Sequence, residues 1–465
     1  MNGDGASPVP TYNLYIDGQW IPAESGQTFT STNPADTRDV IGRFQVAEAH
    51  DVARAVGAAE RAFATWRLVP APRRGELMYR FAQLLADRKE VMARALSREM
   101  GKILEEARGD VQEGIDIAFL MAGEGRRMFG DTVPSELPNK WAMSTRAPRG
   151  VAAIITPWNF PIAVPCWKIM PALITGNTVV FKPASATSHC ATLLVQLLEE
   201  AGFPNGTINL VTGSGAVAGD CLVTSPQVKV ISFTGSTEVG RTIAASAGGQ
   251  LKRLALELGG KNALAIMDDA DLELAAEGIT WAAFGTTGQR CTSLSRLVVQ
   301  ESILEELLTR VVDRATALRL GPGLDPLSDM GPLIDEAALT KVDSYVQVGL
   351  QKSSLVCGGR RSTRDGLDHG YFYEPTVFRQ VRPEDRIAQE EIFGPVLAVI
   401  AVRDYEEAVA VVNSTPFGLS SGIYTQRVDL AFRAIRDFET GIVYVNGGTI
   451  GAETHLPFGG MKDTG

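Results

Sequence analysis

Apolar residues change their period along this chain, and the change divides it. Leu14-Tyr15-Ile16 and Trp20-Ile21 flank an Asp17-Gly18 pair. Short apolar runs around Asp-Gly predict a hairpin, because both central residues of its tight turn need positive φ. The period then becomes helical: Val52, Ala55, Val56, Ala59, Ala62 and Phe63 mark one helix, and Leu77, Phe81, Leu84 and Leu85 a second. A third spans 111–128, with Ile115, Phe119 and Met121 on one side. Residues 132–149 break the period with three prolines and read as a linker. From Val151, short β-rich runs (152–156, 178–181, 208–211, 228–233, 253–256) alternate with helical stretches such as 192–200 and 238–247. That alternation predicts βαβ units in a doubly wound parallel sheet, with a ligand crevice at the carboxyl ends of the strands. After Asn262 a second α/β region follows, with strands at 263–267, 297–300, 396–401 and 442–445 and a long helix at 304–318.

Length and composition narrow the class. A chain of 465 residues should split into two or three domains. An apolar content of 45 % beside 21 % charged residues fits a soluble globular protein. The formal charge of −10 argues against nucleic acid and against an anionic membrane surface. Five scattered cysteines without metal-ligand spacing predict reduced thiols, a cytoplasmic location and no metal site. The amino terminus has neither the basic flank nor the apolar stretch of a signal peptide.

Three stretches carry candidate chemistry. In Phe284-Gly-Thr-Thr-Gly-Gln-Arg-Cys-Thr, Cys291 sits among polar and small residues, in surroundings that read as flexible. Most free cysteines fill cores; a reactive one needs such a setting. Leu256-Glu257-Leu258-Gly259-Gly260-Lys261-Asn262 offers one carboxylate at an apolar strand end, where burial raises its pKa toward that of a neutral-pH base. Pro157-Trp158-Asn159-Phe160-Pro161 presents an amide donor in a rigid aromatic loop. Thiol, carboxylate and amide donor are the parts for covalent catalysis at a carbonyl. A cysteine-protease arrangement is set aside, because His50, His189, His369 and His455 lie in no matching context. Two glycine patterns compete for a phosphate. Gly213-Ser214-Gly215 with Gly219 has an extra residue before its last glycine, whereas Gly235-Ser236-Thr237-Glu238-Val239-Gly240 follows a strand and opens a helix. The second is preferred, since the N–H groups of a helix start face an anion.

In order and separation, these motifs resemble the NAD(P)-dependent aldehyde dehydrogenase superfamily, from Tyr15-Ile16-Asp17-Gly18 to Pro457-Phe458-Gly459-Gly460. The resemblance implies an α/β fold: a Rossmann-type cofactor domain (1–129 and 150–258), an α/β catalytic domain (259–465) and an oligomerisation arm (130–149), built as an antiparallel excursion. It makes Cys291 the nucleophile, Asn159 an oxyanion donor and Glu257 the base that activates water. Relatives passing the acyl group to coenzyme A do not need that base, so Glu257 favours the acid-forming type. Cofactor contacts fall on Trp158, Lys182, Ser185, Gly235, Ser236, Leu258, Glu391 and Phe393. On plainer readings, Lys182 is a solvated strand-end lysine and Glu391 an ordinary loop charge. Serine at 185, where a glutamate would repel a 2′-phosphate, implies that NADP is accepted and preferred, with NAD as the other cofactor. Lys168 is either part of a proton relay or structural.

Phe160, Trp167 and Phe458 match the family's aldehyde channel, and Arg290 is either an anchor for an anionic substrate tail or one half of a structural ion pair. The segment 451–457 looks like that of bacterial enzymes acting on semialdehydes, such as 2-oxoglutarate and succinate semialdehyde; neutral aliphatic or aromatic aldehydes are the alternative. Two departures stand out. Ala263 replaces a common proline, and after Gly465 the family continues with an Arg-Glu motif and a strand that pairs with a neighbouring subunit. With that strand a homodimer or homotetramer is expected. Without it the arm presents an open edge, and an inactive, cofactor-binding homologue is the alternative.

Overall fold

The computed structural model describes residues 9–465. Among them, two seven-stranded sheets, each covered by helices on both faces, make up most of the molecule. The first sheet runs Arg253–Glu257, Val228–Thr234, Val151–Ile155, Thr178–Lys182, Ile208–Leu210, Leu14–Ile16, Gln19–Ile21. Its first five strands are parallel, and the predicted hairpin closes one edge antiparallel. Asp17 and Gly18 have φ of 56° and 78°, as that turn requires, and a Cβ on Gly18 would lie 2.2 Å from the Asn205 side chain. Strand residues alternate between two cores. Ala152 and Ile154 pack beneath the helices Ala71–Asp87, Leu104–Glu124 and Ala163–Ile174, whereas Val151, Ala153 and Ile155 pack against Ala49–Trp66 and Thr237–Gly248. Burial on both faces explains the near-continuous apolar runs of these strands.

The second sheet runs Ser354–Cys357, Thr376–Arg379, Val396–Val402, Leu294–Gln300, Asn262–Ile266, Ser420–Tyr424, Ile442–Val445, parallel except for its first strand. Strand Ser420–Tyr424 was not predicted. Its Ser-Ser-Gly-Ile-Tyr sequence is weak in apolar residues, and neighbouring strands bury it all the same. Helix Lys89–Met100 was also missed, since its apolar stripe is interrupted by charged residues.

The linker reading of 132–149 is corrected. Thr132–Pro134 pairs antiparallel with Trp141–Met143, and its prolines fall at strand ends or outside strands, where no ladder N–H is needed. The excursion projects from the body, with Trp141 79 % and Met143 70 % exposed. No described helix is long and apolar enough to cross a membrane.

Candidate active site

Parallel strands bring their carboxyl ends to one edge, and the first sheet delivers its candidate residues there. The chain leaves Ile155 into Thr156-Pro157-Trp158-Asn159, Lys182 ends its own strand, Gly235 and Ser236 follow Thr234, and Glu257 ends the edge strand. The Lys182 ammonium is buried, donates to the Pro183 carbonyl at 3.0 Å, and has its pKa lowered by burial to about 8. Ser185 Oγ donates to the Gly213 carbonyl at 3.0 Å. Ser236 caps the helix Thr237–Gly248, its Oγ accepting from the Val239 N–H at 3.3 Å. Residues 213–219 instead form a turn and a short π-helix capped by Ser214. Gly235 N–H donates to the Glu257 carbonyl at 3.1 Å, so the phosphate-type loop and the candidate base share a hydrogen bond.

From the second sheet's side, the half-buried Glu391 accepts from the Gly260 N–H at 3.0 Å. Phe393, at φ 61°, meets the Trp158 ring edge-on at 5.5 Å. A capped helix start, a buried lysine at a strand end and this aromatic pair fit a dinucleotide.

The loop of the candidate nucleophile differs from expectation. Its surroundings are polar but not flexible. Thr286 and Thr287 hold left-handed φ of 52° and 58°, strained for β-branched residues. Gly288 follows at 67°, where a Cβ would come within 2.3 Å of the Gly394 carbonyl oxygen. Gln289, fully buried, donates to the Thr286 and Pro332 carbonyls and accepts from the Ile334 N–H. Asn262 Nδ2 holds the Cys291 carbonyl at 2.7 Å, and Asn159 Nδ2 donates to the Gln289 carbonyl at 3.0 Å. An amide has two N–H donors, so one remains for an oxyanion. Burial pushes the Cys291 thiol up to about 12, and the Glu391 and Glu257 charges push the same way. The Thr292 and Cys291 backbone N–H groups pull the other way.

Glu257 meets the expectation of a raised pKa. Burial brings it to about 7 against the opposing pull of Lys168, and its Oε2 is buried without a hydrogen bond. Lys168 donates to Ser232 Oγ at 3.1 Å, and burial lowers its pKa to about 8.

Cys291 and Glu257 line one cavity of about 300 Å³ with Phe160, Trp167, Phe458 and Arg290. Trp167 and Phe458 face each other at 6.3 Å. Arg290 forms the ion pair of its structural reading and also reaches the cavity wall. Its Nη2 donates to Glu106 Oε1 at 2.9 Å, with Nε donating to Thr286 Oγ1. Two site residues were missed: Glu106, and Glu113, which lines the cavity and accepts from Trp167 Nε1 at 2.6 Å. Both lie on the helix Leu104–Glu124, and acids on its buried stripe beside Ala107, Val111 and Gly114 were the available signal. Among the described residues, no group of three or more His, Cys, Asp or Glu is arranged to hold a metal.

A strand-end arrangement that fits a dinucleotide, near a cavity lined by one cysteine and one carboxylate, has the parts of a cofactor-dependent oxidoreductase. The model of the aldehyde dehydrogenase family matches residues 20–465, and the chain belongs to that family of NAD(P)-dependent enzymes. It is 42 % identical to the alpha-ketoglutaric semialdehyde dehydrogenase of Bacillus subtilis, over 98 % of this chain and 93 % of that one. It is 37 % identical to the succinate-semialdehyde dehydrogenase (NADP(+)) of Escherichia coli, over 97 % and 92 %. The fold superposes with a TM-score of 0.95 on betaine aldehyde dehydrogenase from Staphylococcus aureus in complex with NAD+, at 34 % identity over 97 % of this chain and 90 % of the other.

Proposed function

We propose that this enzyme oxidises a carboxylated semialdehyde, of the 2-oxoglutarate or succinate semialdehyde type, to the acid. The observation that carries the reading is Arg290 on the wall of the cavity that also holds Cys291 and Glu257. Semialdehyde enzymes among the relatives support it. A neutral aldehyde is the second reading, favoured by the aromatic walls and by the Glu106 carboxylate that already balances Arg290.

Cys291 Sγ, its proton released to solvent, forms a bond to the aldehyde carbon as the thiolate. The Asn159 amide and the Cys291 N–H donate to the oxygen that becomes negative, which is worth about 3 kcal/mol per donor. When bound, NAD(P) accepts the hydride leaving that carbon. Glu257, having released its proton to solvent, takes one from the water that attacks the thioester, and the acid and the free thiol separate. Trp158, Lys182, Ser185, Gly235, Ser236, Leu258, Glu391 and Phe393 hold the cofactor. NADP is preferred, because Ser185 brings no charge against a 2′-phosphate and the Lys182 ammonium has donors beyond the one given to Pro183. Residues 1–129 and 150–258 serve the cofactor and 259–465 the chemistry. The arm at 130–149 serves a homodimer or homotetramer, working in the cytoplasm.

The test is formation of reduced cofactor with 2-oxoglutarate semialdehyde, succinate semialdehyde and a neutral aldehyde of similar length, each with NAD and NADP. Higher kcat/KM for the charged substrates, abolished by Cys291→Ala, is the expected result. Equal or better use of the neutral aldehyde would reject the carboxylated class.

A further inference from the structure

One face of the helix Leu104–Glu124 carries Glu106, Asp110 and Glu113, spaced as i, i+4 and i+7 and so aligned. Each acid holds a different wall of the site. Asp110, fully buried, accepts from the Ala163 N–H at 2.7 Å and from Lys102 Nζ at 3.1 Å. Lys102 Nζ lies 3.8 Å from the centre of the Phe160 ring, next in sequence to Asn159. Glu106 reaches the other loop, its Oε1 accepting from the Thr286 N–H at 2.6 Å and from Arg290 Nη2 at 2.9 Å. Arg290 closes the arrangement by donating to Thr286 Oγ1 at 2.8 Å, with its guanidinium carbon 5.5 Å from the Phe160 ring centre. One rigid helix therefore braces both the loop with the amide donor and the loop with the thiol.

Such a brace is needed. Left-handed threonines persist only where the surroundings over-determine them. Thr286 and Thr287 come just before Cys291, so relaxing them would shift the sulfur and its backbone N–H. Burying an acid and a guanidinium is a poor route to stability compared with apolar packing, whereas fixing two loops relative to each other uses the directionality of both groups.

We propose that Glu106 is a positioning residue. By gripping the Thr286 amide and the Arg290 guanidinium, it holds the turn that sets Cys291 against the Asn159 amide. The assignment rests on Cys291 being the nucleophile.

The experiment is a double-mutant cycle between Glu106→Gln and Asn159→Ala, with a neutral aldehyde so that any anionic-tail contact of Arg290 does not enter. Glu106→Gln alone should lower kcat about ten- to hundredfold with KM changed less than about threefold. Asn159→Ala should cost about a hundredfold in the parent and only a few-fold in the Glu106→Gln background, because the oxyanion is already misplaced there. Arg290→Lys, which keeps the charge but loses the two-point grip, should reproduce that loss of additivity and carries the test if Glu106→Gln folds poorly. Equal cost of Asn159→Ala in every background, as expected of a residue that only stabilises the fold, would overturn the proposal, as would an unchanged kcat in Glu106→Gln. Turnover retained by Cys291→Ala in an otherwise unaltered chain would instead reject the nucleophile on which it rests.

Discussion

The two sides of the crevice are built by different means. On the proposed cofactor side, the first sheet presents a helix start capped from within its own first turn and a buried lysine bonded to the next residue's carbonyl. On the side proposed to carry the nucleophile, the Cys291 loop is held mainly by side chains from far along the chain: Glu106, and Asn159 through Gln289. A crevice that binds a ligand of fixed shape can be written as local motifs. A loop that must hold a reacting atom against a developing charge draws on long-range contacts, and here on buried ions.

The largest effect expected on this contrast comes from Glu257, the last strand residue of the first sheet, which faces the other side's chemistry. Glu257→Gln should reduce steady-state turnover by about 10²- to 10⁴-fold while leaving a burst of about one reduced cofactor per active site, read by rapid mixing. A lost burst would mean that Glu257 is needed before thioester hydrolysis as well. A smaller and more selective effect is expected from Ser185→Glu on the cofactor side. It should lower kcat/KM with NADP about ten- to hundredfold and leave kcat with NAD nearly unchanged. A comparable fall with NAD would erase the separation between the two sides.

The smallest effect is on stability. The Glu257 carboxyl has its folded pKa raised from 4.5 to about 7, so between those values the folded protein binds more protons than the unfolded chain. Its contribution to stability therefore falls as pH rises through that window. Glu257→Gln, neutral throughout, should match the parent in Tm below pH 4.5 and exceed it by about a degree or two above pH 7. The reverse trend would show that the carboxylate is stabilised in the fold.

The same contrast explains what could be read from the chain alone. Residues 235–240 disclosed a helix start because strand, glycine and cap are contiguous, and the Asp17-Gly18 hairpin was legible for the same reason. Cys291, Glu257 and Asn159 were picked out by their motifs. The thiol's high pKa was not foreseen, because Glu391 and the enclosing walls reach it only through the fold. Glu106 lies before the predicted helix 111–128 and Glu113 inside it, and neither drew a reading. Only tertiary packing shows that their face is buried, and a stripe of acids among alanine, valine and glycine was the one local sign.

The order of strands in the second sheet bears on how the protein is made. Asn262–Ile266 pairs on one side with Leu294–Gln300 and on the other with Ser420–Tyr424. All strands of the first sheet have been synthesised by Glu257, so a ribosome can release a complete cofactor-side sheet early. The apolar edge of Asn262–Ile266 then waits about 160 residues for its second neighbour, roughly ten to thirty seconds at ordinary translation rates. Through that interval the nascent chain carries one finished layer and one open, adhesive strand.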